Sequence, residues 1–160
     1  MTSGTNTILQ GADLAFWRSY LLASRLLFER LDQELQSRAH LSLADFTLLM
    51  RLAEAGDDGI RMSDLADSAV FSRSRLSHAV TRLEKSGWVE RRSCPTDRRG
   101  SFAALTEEGS EKLGEANPIH SEVVREHLIG AVPEEDREQV HRTLVEMTVS
   151  LGGRPGDPAC

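Results

Sequence analysis

The sequence predicts a mainly helical chain with one small β-hairpin, an α+β fold built as a single domain. Three observations carry that expectation. Apolar residues recur at helical spacing over most of the 160 residues. Aromatics make up only 5% of the chain, so the core must rest on Leu, Val and Ala. One polar turn, with Pro95 and Gly100 at its ends, is flanked by two runs that read as strands.

The elements follow in order. Residues 1–11 form a loose tail. Over 13–38 the pattern is helical, with Leu14, Trp17, Leu21 and Phe28 on one stripe and Phe16, Tyr20, Leu27, Leu31 and Leu35 on its neighbour. Together the stripes are wider than the single apolar face a surface helix needs, so this helix is covered on more than one side. Ser42 caps a second helix carrying Leu43, Phe46, Leu49 and Ala53, which stops near Gly56 before an Asp57-Asp58-Gly59 turn. Residues 60–62 form a very short strand. Ser63 caps a short helix with Asp64 in its first turn and Leu65, Ala66 and Ala69 inward. Ser72 caps a longer helix that ends at Gly87. Residues 88–94 and 101–105 are the two strands of the hairpin. Thr106 caps a helix reaching Ile129, with Glu107 and Glu108 in its first turn and a kink or break expected at Pro118. Pro133 starts a last helix striped by Val140, Leu144, Met147 and Leu151, and residues 152–160 form a frayed tail.

Composition excludes several classes. At 39% hydrophobic and 28% charged, the chain is ordinary globular protein. No stretch approaches the roughly 18 apolar residues of a membrane span. Residues 1–10 lack the basic start and apolar run of a signal peptide. Cys94 and Cys160 are far apart and form no metal-type pair, which fits a reducing cytoplasm. The net charge of −6 argues against a nucleic-acid partner until its distribution is considered. Arg73, Arg75, Arg82, Lys85, Arg91, Arg92, Arg98 and Arg99 crowd into one short segment, against only Glu84, Glu90 and Asp97. A basic island in an acidic chain concentrates attraction for phosphate on one face; a merely solvated surface is the competing reading.

On a helical wheel, Leu76, Ala79, Val80 and Leu83 face the core. Ser74, His78, Thr81 and Lys85 point the opposite way, flanked by Ser77 and Arg82, with Arg75 toward one edge. Short hydroxyls allow close approach to a major groove, and Arg pairs with guanine O6 and N7. Ser72, Arg73 and backbone groups near the helix start suit phosphates. Arg98 and Arg99, at the hairpin tip, have the reach for a minor groove or flanking phosphates. Asp97 repels phosphate, so an intramolecular pairing with Arg99 that pre-sets the guanidinium is its useful role; a plain exposed turn is the alternative. A short helix, a longer one and a two-stranded wing make a winged helix-turn-helix candidate.

The segments Gly87-Trp88-Val89-Glu90-Arg91, Pro95-Thr96-Asp97-Arg98-Arg99-Gly100 and Ala104-Leu105-Thr106-Glu107-Glu108-Gly109 resemble the MarR family of bacterial regulators. That family's wing carries Asp-x-Arg and a strand ending Leu-Thr-x-x-Gly. Leu65-Ala66 and Leu83-Glu84-Lys85-Ser86-Gly87 match its helix-turn-helix framework. The likeness covers nearly the whole chain, its specific motifs lying between about residues 63 and 109. It implies a winged helix-turn-helix with an N- and C-terminal helical dimerisation platform. One domain then spans 13–151, with platform helices at about 13–38 and 107–151, a DNA-binding lobe at about 42–106, and tails at 1–12 and 152–160. It further implies a homodimer that binds double-stranded DNA at an inverted repeat, half-sites about 10 base pairs apart, as a ligand-responsive repressor. The effector implied is a small aromatic or phenolic molecule.

Sensing is less legible. Two roles fit Trp17 and Tyr20: lining an effector pocket, or packing in the core or a dimer face. Cys94, beside Arg92, is either an oxidation-sensitive site or a half-exposed structural residue. His40, His120, His127 and His141 lack the i, i+4 spacing of a chelate, so neither a metal nor another cofactor is expected. No Gly-rich phosphate loop, nucleophile elbow or metal-hydrolase helix appears, so the chain does not read as an enzyme. The rival readings are a protein-interaction module on the same fold that has lost DNA binding, and a redox- or metal-responsive variant.

Overall fold

A helix of 29 residues, α1 (Gly11–Ala39), opens the computed structural model, which describes residues 8–68, 73–93 and 101–153. Its helical start at Gly11 precedes the predicted boundary by two residues. Its C-terminal half is the buried half: Leu31, Leu35 and Ala39 are closed off, whereas Phe16, Trp17, Tyr20, Leu21, Leu22, Leu26 and Phe28 are exposed. The helix ends at His40, which takes the left-handed conformation (φ 51°).

Ser42 caps α2 (Leu43–Ala55) as expected, its Oγ accepting the Asp45 N–H at 3.1 Å. Asp32 of α1 accepts a second free amide there, Leu43 N–H, at 2.8 Å. Helix α2 is the spine of the core. Phe46, Leu48, Leu49 and Leu52 are fully buried, more sides than the predicted stripe, while Ala53 is exposed. A 3₁₀ turn at Gly56–Asp58 leads to β1 (Ile60–Arg61) and α3 (Met62–Ser68). Ser63 is therefore not the cap. It lies inside α3, and its hydroxyl donates to Asp64 at 3.0 Å.

The next elements are α4 (Arg73–Lys85), β2 (Val89–Ser93) and β3 (Ser101–Leu105). The predicted hairpin is part of a three-stranded antiparallel sheet ordered β1-β3-β2, because Ile60 and Arg61 pair with Ala103 and Phe102. Gly59 makes that pairing sterically feasible. A Cβ there would sit 2.4 Å from the Ala103 carbonyl oxygen, and its φ of +69° suits glycine.

Of the kink or break expected at Pro118, the break does not occur: α5 (Glu107–Val124) runs through it. Burial of Ala116, Ile119 and Val123 holds the helix on both sides of the proline. The irregularity lies later. Arg125–Ile129 is a wider turn in which Gly130 N–H donates to the Arg125 carbonyl five residues back, at 2.8 Å. A 3₁₀ turn, Glu134–Asp136, follows Pro133 and delays α6 to Arg137–Ser150. One core joins α1, α2, α3, α4, the sheet and α5. No residue of α6 is buried.

Candidate nucleic-acid interface

Helix α4 turns a closed face inward and a polar face outward. Leu76, Val80 and Leu83 are fully buried and Ala79 nearly so. Ser74, Arg75, Ser77, His78, Arg82 and Lys85 are exposed, and Thr81 is half-buried. The wheel derived from sequence is thus realised at the described positions except Thr81, which is half-buried beneath Arg91. Ser72 and the hairpin residues Asp97, Arg98 and Arg99 lie outside the described residues, as do Cys94 and Cys160; Arg73 opens the helix.

The cations of the basic island do not all face solvent unopposed. Arg82 Nη2 donates to Asp45 Oδ1 at 2.5 Å, which ties α4 to the start of α2. Asp45 is itself held, accepting a 2.8 Å hydrogen bond from the Ser42 hydroxyl through its other oxygen. Arg91 of β2 reaches back onto α4. Its Nη2 donates to the Ser77 carbonyl and to Thr81 Oγ1, both at 3.0 Å, and its Nε lies 3.2 Å from Glu84. Arg92 bonds elsewhere, to Glu90 at 2.8 Å and to the Asp57 carbonyl at 2.6 Å. Sequence reasoning counted Arg91 and Arg92 as phosphate attractors and missed their ties. The period-two alternation of a strand, which sends neighbours to opposite faces, is the signal that separates their roles.

The hairpin is bolted to the next helix by the residues of the Leu-Thr-x-x-Gly motif. Thr106 Oγ1 accepts the Gly109 N–H at 3.0 Å as N-cap of α5 and donates to the Gly87 carbonyl at 2.6 Å. A Cβ on Gly109 would lie 2.0 Å from the Trp88 carbonyl oxygen, so only glycine lets α5 pass this close to the strand.

Elsewhere, a cavity of about 410 Å³ opens between the C-terminal end of α1 and α4, lined by Gln36, His40, Ser42, Asp45, Arg82, Leu83, Ser86 and Trp88. Trp17 and Tyr20 are not among its walls. They stack on each other, ring centroids 6.1 Å apart, on the exposed apolar stretch of α1. His120 stacks on buried Phe46 at 4.7 Å, and burial pushes its pKa below the ordinary histidine value. Among the described residues no cluster of three His, Cys, Asp or Glu could hold a metal ion, and no helix is long and apolar enough to cross a membrane.

Comparison with known proteins agrees with this arrangement. The model of the MarR family matches residues 41–101, the segment from the start of α2 into the hairpin. A MarR family transcriptional regulator from Streptomyces coelicolor, solved in complex with DNA, is 40% identical, with 94% of this chain and 97% of that one covered and a TM-score of 0.84. AbsC, a MarR family transcriptional regulator from the same organism, is 38% identical over 93% of this chain and all of its own, with a TM-score of 0.86. The transcriptional repressor MprA of Escherichia coli (strain K12) is 28% identical over 78% of this chain and 76% of its own length. The motifs, the sheet topology and these whole-length likenesses converge: the chain belongs to the MarR family of transcriptional regulators.

Proposed function

We propose that the chain is a homodimeric repressor that binds an inverted-repeat DNA operator and releases it when a small effector binds. The observation that carries this reading is the outward face of α4, where hydroxyls, an imidazole and cations stand over a fully buried inner face. The 40% identity to a regulator solved with DNA supports it. In this reading α4, from Ser72 and Arg73 through Ser74, Arg75, Ser77, His78, Thr81, Arg82 and Lys85, lies in the major groove. Arg98 and Arg99 serve the minor groove or its phosphates, with Asp97 pairing with Arg99 to pre-set its guanidinium. Residues of about 42–106 are the DNA-binding lobe, and the helices on either side form the platform. The exposed apolar residues of α1 and α6, Trp17 and Tyr20 among them, meet the second copy.

An aromatic or phenolic effector fits the cavity between α1 and α4, since it has an apolar wall in Leu83 and Trp88 and hydrogen-bonding groups in Ser42, Asp45 and Arg82. Binding there acts by favouring a spacing of the lobes that no longer matches the grooves. The chain works in the cytoplasm by binding, not by catalysis.

The test is fluorescence anisotropy on a duplex enriched from random sequence by the purified protein, titrated at several salt concentrations. Each neutralised phosphate contributes about −0.9 to the log–log slope, so several contacts give a steep fall. Arg99→Ala weakens operator binding and leaves the dimer intact. Binding that ignores salt rejects the DNA-binding reading, and an operator affinity indifferent to Arg99→Ala rejects the assignment of the wing.

A further inference from the structure

Arg91 makes three contacts along one stripe of α4, with Ser77, Thr81 and Glu84 at successive turns. The next strand residue, Arg92, is tied on the opposite face of β2 to Glu90 and to the Asp57 carbonyl of the turn after α2. The strand is thus pinned on both faces, and Arg91 gives it two side-chain hydrogen bonds to α4. We propose that Arg91 is a positioning residue: it fixes the spacing and angle between α4 and the hairpin and does not itself ligate phosphate. The inference rests on the DNA-binding reading above and names how its two contacting elements are held together.

The geometry argues for holding over reaching. The Arg91 side chain is 33% exposed, its charge is met by Glu84, and one of its nitrogens already serves two acceptors. A guanidinium so committed keeps only its Nη1 donors for any other acceptor, and the rest of the fork is already aimed at α4. The planar fork also matters, because a lysine ammonium keeps the charge but cannot span a carbonyl, a hydroxyl and a carboxylate on separate turns. A duplex presents its grooves at fixed distances. Specific binding therefore needs the helix and hairpin at a fixed separation, whereas binding to random duplex rests on phosphate attraction and tolerates slack.

Arg91→Lys and Glu84→Gln in the full chain separate the two roles. Each is measured on the enriched operator and on a random duplex across a salt series, with circular dichroism and sedimentation reporting fold and assembly. Wild-type binding with its salt slope is the test of the DNA-binding reading itself; the variants judge Arg91 relative to it. Both variants are expected to lower the ratio of operator to random affinity by about tenfold, the size of one lost charge-assisted contact, with the salt slope unchanged. A phosphate ligand behaves otherwise. Arg91→Lys would then resemble wild type, and Glu84→Gln, by releasing the guanidinium, would tighten binding to both duplexes. Either of those results overturns the inference, and so does a lowered melting temperature with the ratio intact, since that marks a role in stability only.

Discussion

Asp45 shows how far a single carboxylate can be shared. One oxygen accepts from Ser42 at the start of α2 and the other from Arg82 on α4, a partner 37 positions along the chain. Such pairings are why the basic island was only partly legible. A sequence displays Arg82, Arg91 and Arg92 as charges in a cluster, but Asp45, Glu84 and Glu90 meet them only after folding. The uncompensated part of the island is narrower than the residue count suggests. Histidine 120 carries a prediction at this scale. Burial against Phe46 lowers its pKa below 6.5, so the native state holds it neutral while the unfolded chain takes up a proton as pH falls past that value. Its contribution to stability is present above about pH 6.5 and is lost on acidification toward its folded pKa. Urea unfolding of wild type should weaken more steeply between about pH 7.5 and 5.5 than that of His120→Phe, which keeps a stacked ring. Parallel curves would remove His120 from the pH dependence.

The elements were legible wherever a local signal decided them. Ser42 and Thr106 announce helix starts because their hydroxyls bond amides three residues on, and both do so. Ser63 has the same chemistry, yet β1 hands the chain to α3 one residue earlier, and tertiary pairing with β3 overrides the local preference. Pro118 does not end its helix, since the cost of a proline there is offset by burial on both sides of it. Gly109 connects element to packing. Gly109→Ala drives a methyl into the Trp88 carbonyl and should destabilise the protein by more than about 2 kcal/mol, at the upper range for overpacking. Gly114→Ala, on the same helix with open space around it, should be neutral or stabilising by up to about 1 kcal/mol. Equal losses in the two variants, by denaturant titration, would mean that the close approach at Gly109 is unimportant.

At the scale of the molecule, the width of the apolar surface on the first helix was the most informative feature of the sequence. Among the described residues it is left uncovered: Phe16 is 74% exposed, and Trp17, Leu21, Leu22, Leu26 and Phe28 also stand open. Val140, Leu144 and Met147 on α6 add a second open stripe. Patches of this kind mark an interface in a stable protein. Leu144→Glu places a charge in that stripe and should shift sedimentation toward monomer, with the far-ultraviolet spectrum retained. A dimer of unchanged strength would mean that α6 is not in the seam. What could not be read from sequence is how this open apolar surface is oriented relative to α4, because it depends on helix phase over many turns.

That phase is set at the wide turn of Arg125–Ile129. Along α5 the inward residues Gly109, Leu113, Ala116, Ile119 and Val123 keep the ordinary helical beat. Lodging one additional residue in a single turn winds the beat back by about 100°. Leu128 and Ile129 consequently leave the protomer's own interior and join Val132, Val140 and Leu144 around a common apolar hollow. The turn therefore acts as a gear: it takes the orientation imposed by the core and hands on a different one to α6.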